Sequence, residues 1–387
     1  MTIEGWTAPD FEGVRHAFEK NFANGLEIGA AFAAYHQGEK VVDLWGGVAD
    51  PTTGQPWVQD TLELVFSTTK GAAAICANRL AQEGRLDVDA PVVEYWPEFG
   101  QADKERIPVS FLLSHQAGLA WVDERLTLEQ ALAWDPMIDA LERQRPHWEP
   151  GTTQGYHAVT YGYLVGEVVR RITGSTLGTY FRDEVAAPLD LDFWIGLPEH
   201  EEPRVARLVG ELVGSNTDLD ESARAELNSL VGPDSMLGKA LSPGGAFSQR
   251  GIWNSRPVHA AELPAAAGIG DARSVARMYA ACVGSADGVR LLTPDQVRDG
   301  TTQRTGGPNI VLFNLDLQFG LGFIVPSTLI RLGGPRSFGH LGMGGSVGWA
   351  DPDAEFAFGY VMNKMELGMA GDTRSYSLID ACYAALR

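Results

Sequence analysis

Phe11, Val14, Phe18 and Phe22 recur on one helical face and Asn24-Gly25 follows as a stop, so the apolar pattern opens with an amphipathic helix. The period then changes. Residues 28–35 and 40–45 are apolar runs joined by the polar His36-Gln37-Gly38-Glu39, which predicts an antiparallel hairpin. Residues 62–66 read as a short strand, and 70–83, rich in Ala, Ile and Leu ahead of Gly84, as a buried helix. From about residue 86 to 270 helices and loops dominate. Thr127-x-x-Gln130 predicts a capping box, 159–172 a helix closed by Gly174, and 222–231 a helical piece inside the weakly patterned stretch 197–264. β character returns at 321–325, 346–350 and 356–362, before a last helical run over 373–386.

A hairpin near the N-terminus and strands near the C-terminus can share one sheet. The expected fold is therefore α/β (α+β), an antiparallel sheet flanked by helices and discontinuous in sequence, built from residues 1–85 plus 271–387. Residues 86–270 form a mostly helical insertion, with a cleft where the two parts meet.

Composition narrows the function classes. With 387 residues, 44% hydrophobic and 21% charged, the chain is neither disordered nor collagen-like. Its 30 basic and 50 acidic residues give a formal charge of -20, which repels phosphate polyanions and anionic lipid, so neither nucleic acid nor a membrane is an expected partner. Cys76, Cys282 and Cys382 are odd in number and widely spaced, as buried reduced thiols would be. No run approaches the roughly 20 apolar residues of a membrane span, and residues 1–10 show no basic-then-apolar leader, so a cytoplasmic location is expected. Neither His-Glu-x-x-His nor Cys-x-x-Cys occurs, and no metal or other cofactor is expected. The oligomeric state is left open.

The candidate chemistry begins at Ser67-Thr68-Thr69-Lys70, where a strand gives way to a helix. Residues three apart on a helix share a face, so the Lys70 amine can reach the Ser67 hydroxyl. A serine hydroxyl needs a base, and a desolvated lysine is neutral enough to act as one. The helix start offers N–H groups for an oxyanion. A second candidate is Tyr156, on a Pro-Gly loop ahead of the 159–172 helix; beside a lysine its phenolate form would be favoured, making it a general base. A third is the glycine-dense run 339–348, which lets backbone approach a ligand or simply makes a tight hairpin. Within it, Gly344-Gly345-Ser346-Val347-Gly348 imitates a nucleophile elbow, but a strand rather than a helix follows Ser346, so this match is read as false. His115 is expected to close a short helix near the cleft through a structural hydrogen bond.

Taken together, these residues resemble the serine β-lactamase and penicillin-binding-protein superfamily, and most closely its class C-like branch, the family VIII carboxylesterases. The resemblance runs over nearly the whole chain. Ser67-x-x-Lys70 matches the family's first motif, Leu113-Ser114-His115-Gln116-Ala117-Gly118-Leu119 is similar to a second segment, and Pro150-Gly151 with Tyr156 to a third. His340-Leu341-Gly342 stands where many lactamases have Lys-Thr-Gly. The resemblance implies that Ser67 is acylated, that Lys70 is its proton acceptor and electrostatic partner, that Tyr156 is the base activating Ser67 and then water, and that the backbone N–H groups of Ser67 and Met343 form the oxyanion hole. Gly342 lies beside them, and His340 would face substrate from an edge strand. Leu341 cannot hydrogen-bond a substrate carboxylate, and Ala158 replaces the amide that lactamases usually carry, so short-chain or aryl esters are the expected substrates. A β-lactamase or D-amino-acid amidase would use the same residues, and a non-catalytic binding protein is the rival of another class.

Overall fold

The computed structural model describes residues 2–210, 230–366 and 372–387. The N-terminal helix is Glu12–Ala23, with Phe11, Val14 and Phe18 buried as the spacing requires. The hairpin pairs Gly29–His36 with Glu39–Asp50 through Gln37 and Gly38, whose φ values of 53° and 81° are those of a tight two-residue turn. The second strand outruns its apolar stretch. Ile3–Thr7 then adds a strand beside it that hydropathy does not reveal, because most of its side chains are exposed.

Phe356–Met362 pairs antiparallel with Gly29–His36 over its whole length, Met362 opposite Ala30 and Phe356 opposite His36. The two ends of the chain thus share one antiparallel sheet, as expected. Among the described residues it has nine strands, continuing through Val347–Asp351 and Phe338–Leu341 to the short Ile324–Val325 and Gln318–Phe319. The run 321–325 is therefore not one strand: Gly320 and Gly322 turn the chain between two short ones.

Period-two alternation distributes the strand residues between two cores. Ala30, Phe32, Phe358 and Tyr360 face the helices Glu12–Ala23 and Thr373–Ala385. Ala31, Ala33, Ala357 and Val361 face Ala272–Val283. That last helix lies so close that a methyl group on Gly359 would come 2.4 Å from the Ala272 carbonyl oxygen.

Between the two ends lie mainly helices, including Asp135–Arg143 and Thr160–Thr173, the latter closed by Gly174 at φ 75°. The capping box at Thr127 and Gln130 forms. Three short strands make a second sheet, Glu63–Leu64, Gly268–Gly270 and Phe193–Ile195, two of them in the stretch where strands looked scarce. The helical piece at 222–231 lies almost wholly outside the described residues. Cys76, Cys282 and Cys382 are free and buried, and no helix among the described residues is long and apolar enough to cross a membrane.

Candidate active site

Helix Thr69–Gln82 is buried on nearly every side, because its alanines let neighbours approach from all round. It begins at a strained corner: Phe66 has φ +44°, a left-handed value unusual for an aromatic residue. The corner turns Ser67 out of the apolar interior, so that it is half-buried between buried Phe66 and Thr68. Phe66 packs edge-on against Trp253, itself stacked on Phe247.

Lys70 is fully buried. Its Nζ lies 3.0 Å from Ser67 Oγ, 2.7 Å from the Ala158 carbonyl oxygen and 2.9 Å from that of Ala265. Burial holds its pKa well below the usual lysine value, with no carboxylate to compensate. A neutral amine has two N–H groups and one lone pair. As an ammonium Nζ donates to all three oxygens; once it has lost a proton, the two carbonyls can keep its N–H groups and leave the lone pair for the serine hydroxyl.

Tyr156 completes the cluster. Its hydroxyl shares a hydrogen bond with Ser67, and its ring centroid lies 4.8 Å from Lys70 Nζ. The favoured phenolate expected beside a lysine is not found. Burial pushes the phenol pKa up, and the hydrogen bond with Ser67 opposes this only in part, so the tyrosine rests as the phenol. The Tyr156 N–H donates to Asn309 Oδ1 at 3.0 Å, and its ring packs 4.7 Å from that of His115. Asn309, fully buried, went unnoticed in the sequence, where a lone Asn on a loop carries no signal.

His115 has the structural role expected. It follows the short helix Val109–Leu113 with φ +62°, and its Nδ1 accepts the His157 N–H at 3.1 Å. His157 Nε2 in turn accepts the Leu119 N–H at 3.0 Å.

His340 does not present itself from an edge strand. Its strand has a further neighbour through Gly339 opposite Ile324, and the residue is 1% exposed, with its ring 6.3 Å from that of Tyr156. Nδ1 donates to the Leu341 carbonyl at 2.8 Å, which leaves Nε2 a bare acceptor without a partner. Burial first, then Lys70, holds its pKa down at about 3, so the ring is neutral and cannot replace a lysine in gripping a carboxylate.

Ser346 is no nucleophile elbow. A strand follows it, and its buried hydroxyl donates to the Val65 carbonyl at 2.8 Å while lying 3.0 Å from Thr68 Oγ1. Ser346 clasps the glycine loop to the residues on either side of Ser67. Gly342 is required at this contact, since a methyl there would lie 2.3 Å from the Val65 oxygen and 2.0 Å from Ser346 Oγ. Met343, half-buried, comes next in the loop. Trp349 is sealed within the sheet.

Two surface clefts of about 600 Å³ lie elsewhere, one among Asp190, Asp192, Asp271 and Arg273, the other beside Phe111 and Trp148. Chemistry, not cavity size, singles out the Ser67 corner.

A sequence model of the beta-lactamase family matches residues 18–382. The chain belongs to that family. It is 35% identical over 372 residues, 94% of this chain and 83% of the other, to the protein named Esterase/beta-lactamase LipL of Mycobacterium tuberculosis (strain ATCC 25618 / H37Rv). Among solved structures, a family VIII carboxylesterase superposes with a TM-score of 0.88 at 38% identity over the full length of both chains. EstA from Arthrobacter nitroguajacolicus Rue61a does so with a TM-score of 0.87 at 36% identity, covering 100% of this chain and 99% of its own. The antiparallel sheet with its helices is thus the architecture of β-lactamase-fold esterases.

Proposed function

We propose that this protein cleaves short-chain or aryl carboxylic esters through an acyl intermediate on Ser67, in the groove between the sheet and the helical insertion. It is a serine hydrolase of the carboxylesterase type. The observation that carries the catalytic assignment is the fully buried Lys70 amine set 3.0 Å from Ser67 Oγ, with burial lowering its pKa in support.

In the first half-reaction the Ser67 proton passes to the Lys70 lone pair as Oγ adds to the ester carbonyl. The N–H groups of Ser67 and Met343 receive the oxyanion. Collapse breaks the acyl C–O bond. The departing alkoxide takes the Tyr156 phenol proton, and the Lys70 ammonium returns its proton to Tyr156. In the second half water loses a proton to the same pair and adds to the acyl carbon. The carboxylic acid departs, and Ser67 recovers a hydrogen. This gives Tyr156 the work of a relay and Lys70 that of the base, a revision that the directions of their pKa shifts support.

Neutral His340 and Leu341 offer no charge to a substrate carboxylate, while half-buried Trp253, packed on Phe66 and Phe247, offers apolar surface; both favour uncharged esters. Three buried free thiols suit a cytoplasmic setting. A lactamase or amidase would use the same trio, and the name of the mycobacterial relative joins both activities. Ser67→Ala should abolish p-nitrophenyl acetate hydrolysis and fluorophosphonate labelling, and activity surviving in that variant would overturn the assignment. Turnover of nitrocefin or a D-amino acid amide at rates matching the ester would favour the second reading.

A further inference from the structure

The chemistry above gives the buried cation Arg374 no task. Arg374 opens the helix Thr373–Ala385 and is 1% exposed. Its Nη2 donates to the Gly344 carbonyl at 2.7 Å and also contacts Asp372. Nη1 donates to the Lys364 carbonyl at 2.8 Å and to Glu27 Oε2 at 3.3 Å, and Nε reaches both Asp372 oxygens at 2.9 Å. Glu27 is bonded in turn to the Tyr360 hydroxyl. Removing a guanidinium and two carboxylates from water is costly unless every partner is placed. Starting a helix does not require it, since Asp372 Oδ1 already accepts the Arg374 N–H at 2.8 Å.

The guanidinium points at the glycine loop. Gly342 is fixed at one end, its N–H donating to the Ser346 carbonyl at 2.7 Å and its Cα pressed against Val65. Gly344 is fixed at the other, because its carbonyl accepts both Arg374 and the Glu366 N–H, the latter at 3.2 Å. Gly344 and Gly345 take φ values of 88° and 126°, and a methyl on Gly345 would fall 2.5 Å from Arg374 Nη2. The loop therefore curves over the cation, with Met343 between two anchored peptides.

We propose that Arg374 is a positioning residue which, by holding the Gly344 carbonyl from behind the loop, fixes the direction of the Met343 N–H toward the oxyanion. This rests on the acyl-serine reading given above. A donor aimed in advance needs no reorganisation as charge develops, and it acts on the transition state rather than on substrate binding.

The test compares p-nitrophenyl acetate with its thionoester analogue, whose sulfur accepts hydrogen bonds poorly. The wild-type enzyme should prefer the oxygen ester strongly. Arg374→Lys keeps a cation for Asp372 and Glu27 but loses the fork that reaches Gly344. Its kcat for the ester should fall about 10- to 100-fold with KM within about 2-fold, and the ester-to-thionoester ratio should shrink alongside. A variant folded by near-ultraviolet circular dichroism whose ratio equals wild type overturns the proposal. If Arg374→Lys does not fold, Asp372→Asn loosens the same guanidinium and must also lower the ratio; an unchanged ratio there has the same meaning. Hydrolysis persisting in Ser67→Ala sinks the acyl-serine reading itself. Loss of activity in Ser67→Ala together with an unmoved ratio in Arg374→Lys sinks only this one.

Discussion

Ser346 Oγ donates to the Val65 carbonyl at 2.8 Å, across 281 positions of sequence. That bond sets the spacing between the serine corner and the glycine loop. Ser346→Ala leaves a buried carbonyl and the Thr68 hydroxyl short of a partner, so a loss of about 1–3 kcal/mol in unfolding free energy is expected. Denaturant titration measures it. Fluorophosphonate labelling of Ser67 should persist at a reduced rate, whereas a labelling site that disappears with Ser346 would restore the elbow reading.

Lys70 couples activity to pH. Its folded-state pKa lies well below the value in the unfolded chain. Between those two values the unfolded state binds the extra proton, so this residue's contribution to stability rises with pH. Lys70→Met should raise the melting temperature at neutral pH and flatten this dependence, while lowering kcat/KM by at least about 10³-fold, as expected when the only base is removed. Lys70→Arg, charged at every accessible pH, should be no more active than Lys70→Met. A Lys70→Arg enzyme approaching wild-type rates would refute the neutral-amine mechanism.

On the proposed mechanism, Tyr156→Phe removes the relay and little else. Stopped-flow measurements should show kcat down by about 10²-fold with KM nearly constant. The melting temperature should hold, because the ring keeps its contacts with His115 and Phe319. A parallel collapse in stability would mean that the phenol holds up the fold.

Glu27 titrates with the opposite sign to Lys70. Burial pushes its pKa up to about 7, against the Arg374 charge and the Tyr360 hydroxyl, while neighbouring Asp372 pushes it the same way as burial. The folded state therefore binds the extra proton from the ordinary carboxylate range up to about pH 7, and the Glu27 contribution is lost as pH rises through that point. Melting curves from pH 5 to pH 8 should fall less steeply for Glu27→Gln than for wild type. Identical slopes would remove Glu27 from the titrating set.

Local pattern made the elements legible: the hairpin, the buried helix behind Ser67 and the glycine stops are written in short windows. Ser67 and Lys70 stood out as candidates because their spacing of three sits at a strand-to-helix corner ahead of a buried helix, and Tyr156 only because it could join them; the structure brings the three together. Ile3–Thr7 was hidden because an outer strand with exposed side chains has no apolar alternation to read. The resting state of Tyr156 was misread because the burial that raises its pKa comes from residues far away in sequence. Asn309 and Arg374 were missed since both act through backbone carbonyls or N–H groups far away in sequence, contacts that no local window contains.

The pairing of Phe356–Met362 with Gly29–His36 has a consequence for biosynthesis. Every strand that carries the glycine loop reaches the N-terminal hairpin through that one seam. A nascent chain released before residue 356 lacks both that seam and the helix Thr373–Ala385, so only the Ser346 clasp holds the loop to the serine corner and weak ester turnover is expected. Ester turnover during translation would thus report the moment at which the last strand docks.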